Sequence, residues 1–251
     1  MNRKPRVLLI DIETSPNVGY TWGKWEQNVI EFIQPWFLLS VGWKWLDERK
    51  VHCLGLDDFR SYRKNLTDDS KLVHKAWELF NQADIIIAHN GNAFDTKKLT
   101  AKFIGQGLPP PVPYKTVDTL VIARKYFKFD SNKLDELGQM LKIGRKLPHT
   151  GFNMWKQCMA GDKRGWRMMK RYNRHDVWLL EQVYLRFRGW AVNHPNMALY
   201  MHTDKHQCPK CNSINVQRRG YSMLVKKIKQ RFQCLDCSGW FAGDYVGRNE
   251  I

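Results

Sequence analysis

Two acidic residues end an apolar run near the start of the chain. Residues 7–10 are all aliphatic, and they are followed by Asp11 and Glu13, which are two positions apart. Side chains two positions apart on a β-strand project from one face, so both carboxylates point to the same place. Charges at the end of an apolar strand need a partner, and a divalent cation is the natural one. Solvent at an ordinary strand end is an equally good explanation.

A third acid, Asp95, follows the apolar run 85–88 and a turn rich in Gly and Asn. The sequence after this turn predicts a helix, which places Asp95 in its first turn. The helix dipole favours an acid there without any function, so Asp95 taken singly indicates little. Phe94, directly before it, is an aromatic side chain that we predict to stack on a nucleic-acid base.

The fourth acid lies on a long helix predicted for residues 162–189. Its apolar residues recur at helical spacing, and Asp176 falls within the same apolar stripe. Tyr172 precedes it by one turn, about 6 Å along the helix axis. A buried acid is either hydrogen-bonded by a neighbour or bound to a metal ion. The stripe alone leaves both explanations open.

Four cysteines near the end of the chain form two Cys-x-x-Cys pairs, Cys208 with Cys211 and Cys234 with Cys237. Two such turns supply the four thiolates of a tetrahedral zinc site, and we predict one structural Zn²⁺. Disulfide or redox chemistry is the alternative, and it is disfavoured inside a cell. Cys53 and Cys158 are isolated, and we interpret them as small buried hydrophobic residues.

The chain is strongly basic, with 41 Lys and Arg against 24 Asp and Glu and a net charge of +17. Such a chain usually meets a polyanion, because neutralised phosphates release counterions and drive binding. A merely basic soluble protein is the alternative. Residues 191–251 hold nine of the bases and four of the acids, so both parts of the chain are basic.

Basic side chains cluster in two segments that we predict to contact nucleic acid. The first is on the long helix, where Arg167 and Arg171 lie close before Asp176, although a charge run is often only a solvated helix face. The second lies between the cysteine pairs, where a protein-docking role is the alternative. Its members are Arg218, Arg219, Lys226, Lys227, Lys229 and Arg231.

Other residues near the acids are expected to support the site. The segment 144–155, which includes Lys146, precedes the long helix and is expected to border a cleft. Asp118 is interpreted as a strand-end or capping residue, and a supporting role behind the metal ligands is the alternative. The remaining aromatic candidates for base stacking follow the first acids, and most of them are expected to be packing residues: Trp22, Trp25, Trp36 and Phe37.

Strands followed by strand–helix alternation predict an α/β protein with a mixed sheet flanked by helices. The helix over 133–141 is expected to be capped by Ser131 or Asn132. Predicted strands cover residues 6–13, 38–45, 50–55, 84–88 and 116–120; predicted helices cover 71–82, 93–106, 133–141 and 162–189, with a further helix ending near residue 127.

The order of the acids resembles the three motifs of the DEDD superfamily of ribonuclease-H-like 3′→5′ exonucleases, which includes the proofreading domains of polymerases. These motifs are Asp-x-Glu on a first strand, an Asp opening a mid-chain helix, and Tyr-x-x-x-Asp on a late helix. The resemblance spans residues 6–190. The histidine variant carries its His five positions before the last Asp, where this chain has Arg171, whereas Tyr172 fits the tyrosine variant.

The resemblance implies a ribonuclease-H-like fold over residues 1–190, followed by a linker at 191–206 and a small C-terminal four-cysteine zinc ribbon at 207–251. It also implies that Asp11, Glu13, Asp95 and Asp176 hold two Mg²⁺ or Mn²⁺ ions about 4 Å apart for phosphodiester hydrolysis, with Tyr172 orienting the attacking water. Single-stranded DNA is the favoured substrate, and RNA is the second choice. A ribonuclease, a structure-specific endonuclease and a silent nucleic-acid-binding module are the alternatives.

Nothing in the sequence points to a membrane, since the apolar runs are too short to span a bilayer. The basic N-terminal residues lead directly into a predicted strand, which is unlike a signal peptide. We therefore expect a cytoplasmic or otherwise intracellular protein, and the sequence names no protein partner.

Overall fold

The computed structural model describes residues 3–25, 28–201, 206–225 and 227–246. Five strands form a mixed sheet in the order β5-β4-β1-β6-β7, with helices on both faces. This confirms the predicted α/β fold class. The elements of this part are β1 (Val7–Thr14), β2 (Val18–Tyr20), β3 (Glu31–Gln34), β4 (Leu38–Trp45), β5 (His52–Gly55), α1 (Ser70–Gln82), β6 (Ile85–Ala88), α2 (Asp95–Gly105), β7 (Lys115–Asp118), α3 (Thr119–Tyr126), α4 (Leu134–Met140), α5 (Phe152–Met159) and α6 (Lys163–Phe187).

Strand β1 is central because its side chains are apolar on both faces. It pairs with β4 in the antiparallel sense and with β6 in the parallel sense. Leu8, Ile10 and Ile12 enter one hydrophobic core, and Val7 and Leu9 enter the core on the opposite face. The pairing with β6 covers only the first half of β1, so the half that carries Asp11 and Glu13 extends past β6.

Helix α6 packs on the sheet, and an ion pair and a close packing contact fix its position. Lys44 of β4 forms a buried ion pair with Glu181 of α6. Asn173 of α6 packs directly on Gly42, where a Cβ atom would collide with its side-chain amide. Because Gly42 pairs with Asp11 across the sheet, the same contact sets Asn173 beside Asp11.

The structure adds one element that was not predicted and corrects some local predictions. Strands β2 and β3 form a separate two-stranded hairpin that the sequence did not indicate, because its apolar residues face outward and produce no burial pattern. Phe37 is a packing residue of the core, as most of the four aromatic candidates were expected to be, whereas Trp22 and Trp25 are exposed. The cap of α4 is Lys133, and Ser131 only accepts a hydrogen bond from the Lys133 N–H.

The C-terminal part is a three-stranded antiparallel sheet, formed by β8 (Val216–Met223), β9 (Ile228–Cys234) and β10 (Trp240–Val246). It sits against the end of α6, where Lys210 donates a hydrogen bond to the Gly189 carbonyl and Gly189 abuts the Cys237 carbonyl. Lys226 lies outside the described residues. Among those described, none of the helices combines the length and apolar character that crossing a bilayer requires.

Candidate active site

Three of the four predicted acids meet where β1 passes under α6. Carboxylate oxygens of Asp11, Glu13 and Asp176 all lie within 4.8 Å of one another. Asp11 and Glu13 project from one face of β1, and α6 presents Asp176 to that face. Asn173 precedes Asp176 by three positions on α6, and its side-chain amide donates a hydrogen bond to Asp11 Oδ2. This contact fixes the orientation of the Asp11 carboxylate.

Lys146 contacts two of the predicted site residues, although the sequence indicated only that its segment borders the cleft. Its Nζ donates to Asp176 Oδ2 at 2.6 Å and to Tyr172 Oη at 3.0 Å. The loop that carries Lys146 is held on α6, because His175 Nε2 lies 2.7 Å from the Arg145 carbonyl oxygen. Lys146 therefore links the aspartate of the third motif to its tyrosine. A single lysine in a loop has no periodic pattern that could have revealed this contact.

The acids raise one another's pKa because they are buried together. Burial, followed by the charges of Asp176, Asp95 and Glu13, raises the pKa of Asp11 well above its usual value. Burial and then the charge of Asp176 raise the pKa of Glu13 to about 8. Although burial opposes its charge, the carboxylates of Asp176 and Asp11 raise the pKa of Lys146. Such a cluster needs more positive charge than one lysine supplies.

Asp95 lies beside this cluster but outside the group of three. It is buried in the first turn of α2, and its Oδ1 accepts a hydrogen bond of 3.1 Å from the Ile12 N–H, on the part of β1 that extends past β6. Burial raises the pKa of Asp95 to about 7. Asp118 caps α3, as predicted, and also accepts hydrogen bonds from the N–H groups of Asn90 and Asn92, which shapes the loop before α2.

The donor set fits a hard divalent cation. Carboxylate oxygens are the ligands that Mg²⁺ and Mn²⁺ prefer. Asp176 Oδ1 is buried and accepts no hydrogen bond from any described residue, which is costly unless a cation or a water satisfies it. A cation there would also offset the repulsion among the three carboxylates.

We expect Mg²⁺ to raise the melting temperature more at pH 8 than at pH 5. The ordinary pKa values of Glu13 and Asp95 are 4.5 and 3.8, and folding raises them to about 8 and about 7. Without a cation, the free energy of unfolding is highest at pH values below the ordinary pKa values of the two acids. It falls as the pH rises through the raised pKa values of the folded state, because the buried carboxyl groups then become charged. At a hundredfold excess over Kd, binding contributes about 2.7 kcal/mol, or roughly 5–10 °C. Differential scanning fluorimetry measures the shift, and an equal shift at both pH values would contradict the prediction.

An open cleft of about 480 Å³ adjoins the acids on the side of Thr14. Aromatic rings of Trp36, Phe152 and Trp155 line it together with His149, whose ring lies 4.9 Å from that of Tyr172.

Phe94 is accessible beside Asp95, since its side chain is 38% exposed. Lys98 Nζ lies 4.0 Å from the ring centroid of Trp36 and 5.1 Å from that of Phe94. The two rings therefore share one cation at the edge of the cleft. Trp22 and Trp25 are exposed beyond β2.

The four C-terminal cysteines also converge, with all four Sγ atoms within 4.8 Å of one another. Cys208 Sγ lies 3.6 Å from Cys237 Sγ, and Cys211 Sγ lies 3.6 Å from Cys234 Sγ. These distances are too long for disulfides, whose S–S bond is about 2.05 Å. They agree with the edge of about 3.8 Å expected for a tetrahedron with Zn–S distances of about 2.3 Å. The donor chemistry and the spacing therefore fit zinc.

Basic side chains of the C-terminal sheet lie over aromatic rings. Lys227 Nζ and Lys229 Nζ are 4.1 and 4.5 Å from the Tyr245 ring centroid, and Arg231 Cζ is 5.1 Å from that of Trp240. Elsewhere, exposed arginines are found on β8 and, beside Tyr172, on α6: Arg218, Arg219, Arg167 and Arg171. All the described basic residues predicted to bind nucleic acid are thus at least partly accessible to a ligand.

The chain matches one protein-family model and is similar in fold to a solved structure. A model described as RNase_H superfamily matches residues 46–187, more than half of the chain, which includes Asp95, Tyr172 and Asp176 but begins after β1. No curated protein matches the sequence. Among solved structures, the family B DNA polymerase from the hyperthermophilic archaeon Pyrobaculum calidifontis is similar, with a TM-score of 0.51 and 15% identity. The match covers 74% of this chain and 25% of the polymerase chain, so the chain spans about a quarter of the polymerase's length.

Proposed function

Because the chain belongs to the RNase_H superfamily, we propose that it is a 3′→5′ exonuclease of the tyrosine DEDD type that acts on single-stranded DNA. The acid cluster of Asp11, Glu13 and Asp176 is the observation that carries this proposal. The fold shared with part of a DNA polymerase and the strong positive charge support a nucleic-acid substrate.

The acids would hold two Mg²⁺ or Mn²⁺ ions, with Asp95 as the fourth carboxylate. The ions would lower the pKa of a bound water and stabilise negative charge on the phosphate and on the leaving oxygen. A binding module would gain nothing from three carboxylates facing a phosphate backbone. The silent-module alternative is therefore disfavoured by the same residues that favour hydrolysis.

Hydrolysis replaces the bond between phosphorus and the 3′ oxygen of the preceding nucleotide with a bond to the oxygen of water. The products are a nucleoside 5′-monophosphate and a strand shortened by one residue with a free 3′ hydroxyl. Burial and the charge of Asp176 raise the pKa of Tyr172, so its hydroxyl stays protonated and orients the water without acting as a base. Lys146 holds that hydroxyl in place and offers its own positive charge beside the reacting phosphate.

The aromatic cleft beside Thr14 suits the terminal nucleoside. Rings accept any base by stacking, which contributes about 1–3 kcal/mol per base without requiring a particular sequence. Phe94, together with Trp36 and the cation of Lys98, borders the cleft on the Asp95 side. A nucleotide in this cleft would contact His149 and would lie next to the acids.

A digestion panel tests the proposed activity. Oligonucleotides labelled at the 5′ end, as single-stranded DNA, duplex DNA and RNA, are incubated with Mg²⁺, Mn²⁺ or neither. Progressive shortening from the 3′ end of single-stranded DNA is the expected result. Internal cuts indicate an endonuclease, preferential loss of RNA indicates a ribonuclease, and a shifted band without cleavage indicates a binding module.

The C-terminal sheet is proposed to be a zinc ribbon that binds the phosphate backbone. We expect Lys229→Ala combined with Arg231→Ala to lower the slope of log K against log salt by about 1.4, since each lost contact to a single strand removes about 0.7. Arg186→Ala, an exposed residue near the end of α6, is the matched control. Fluorescence anisotropy over a range of salt concentrations measures the slope. An unchanged slope in the double variant would leave the ribbon with a protein-docking role.

A further inference from the structure

A second pocket, of about 310 Å³, opens on the other side of the loop that carries Lys146. Its walls are Leu147 and Pro148 of the loop and a stripe of α6 side chains that ends at Tyr172. Three arginines of α6 stand around it: Arg164, Arg167 and Arg171. The pocket therefore shares Tyr172 with the candidate active site while differing from the aromatic cleft in its charge.

The arginines of this pocket carry unneutralised charge. Among the described residues, no acid lies within ion-pair distance of Arg164, Arg167 or Arg171. Lys170 of the same helix behaves differently, because it pairs with Asp57 and Asp58 at 2.8 Å each. The three arginines around the pocket are therefore free to bind an anion, whereas Lys170 is neutralised by the two aspartates.

We propose that this pocket binds the backbone phosphates of the substrate strand on the 5′ side of the bond that is cut. The inference rests on the proposed exonuclease function. Arg164 and Arg171 are seven residues apart, about 10 Å along the helix, which matches about three nucleotides at a rise of 3.4 Å. The aromatic cleft is suited to one terminal nucleoside, whereas guanidinium groups suit phosphates. The 3′-terminal nucleoside would therefore lie in the aromatic cleft beside His149, and the 5′ part of the strand would lie in the arginine pocket beside Tyr172.

The test compares Arg167→Gln with the control Arg186→Gln on substrates of two lengths. The dinucleotide dT2 has one phosphodiester and ends at the active site, whereas dT4 extends into the pocket. We expect the loss of kcat/KM in Arg167→Gln to be about tenfold larger for dT4 than for dT2, because a charge-assisted contact is worth about that factor. Arg164→Gln is a second variant, and both arginines are exposed, so the fold is not expected to change.

Anisotropy of labelled dT4 and of a duplex, without a divalent cation, provides a readout that does not need cleavage. The inference predicts weaker binding of dT4 by Arg167→Gln than by Arg186→Gln. Equal losses for the two lengths, equal affinities for dT4, or an effect confined to the duplex would each overturn it. If the wild-type protein cleaves neither substrate, the exonuclease proposal fails, and the anisotropy comparison still tests the pocket.

Discussion

Replacing Asp176 with Asn is expected to lower the rate of DNA cleavage by about a hundredfold to a thousandfold, since the loss of one charge-stabilising group costs about 10²–10³ in kcat. Asn keeps the size of the side chain but removes the charge that a cation would bind. The substitution also removes repulsion toward Asp11 and Glu13, whose burial beside Asp176 raises their pKa. Without a divalent cation, the variant should therefore melt at least as high as the wild-type protein, which separates lost catalysis from lost folding.

Single-turnover cleavage of a 5′-labelled oligonucleotide measures this effect. Tyr172→Phe keeps the ring that packs on His149 and loses only the hydroxyl, so we expect a smaller loss. Asp130→Asn, at an exposed loop position, is the matched control and should leave the rate unchanged. Turnover retained in Asp176→Asn would refute the assignment of Asp176 as a metal ligand.

The second large effect is expected from Cys234→Ser, which should remove zinc and unfold the C-terminal sheet. This sheet has only one large, fully buried side chain among its described residues, Phe232, so its own core is too small to hold it together. Structural zinc contributes about 10–16 kcal/mol in small domains at neutral pH. The expected wild-type content is one zinc per chain, and the variant should contain less than about a tenth of that amount.

Atomic emission measures the zinc, and hydrogen exchange of the β9 amides measures the fold. Cys53→Ala is the matched control, because Cys53 lies on β5 and outside the cysteine cluster. It should retain one zinc per chain. Full zinc content and protected β9 amides in Cys234→Ser would show that the sheet does not depend on the metal.

The strand and helix periodicities of the sequence predicted most of the sheet and the long helix. Asp11 and Glu13 are two positions apart on a strand, and Asp176 lies in the apolar stripe of a helix, so their directions follow from local geometry. The expectation that β1 and α6 meet came from the resemblance to the DEDD exonucleases. Asp118 was also interpretable, because capping depends on neighbours close in sequence.

Contacts between distant segments could not be predicted in this way. Lys146 reaches Asp176 from a loop, and Asn173 reaches Asp11 only because Gly42 leaves room for it. The β2–β3 hairpin was missed because its exposed apolar residues give no amphipathic alternation. The arginine pocket depends on the loop 147–148 lying against α6, a pairing that neither segment indicates by itself.

Helix α6 has one further consequence, because it is a single helix of 25 residues that carries Asp176 and ends at Phe187, next to the C-terminal sheet. The distance between these two positions is about 17 Å along the axis. At 3.4 Å per nucleotide, this corresponds to about five nucleotides. The arginine pocket lies on the opposite side of Asp176 along α6, so a strand that leaves through the pocket runs away from the sheet. The sheet would therefore contact a second strand, or a part of the same strand that folds back over at least this length.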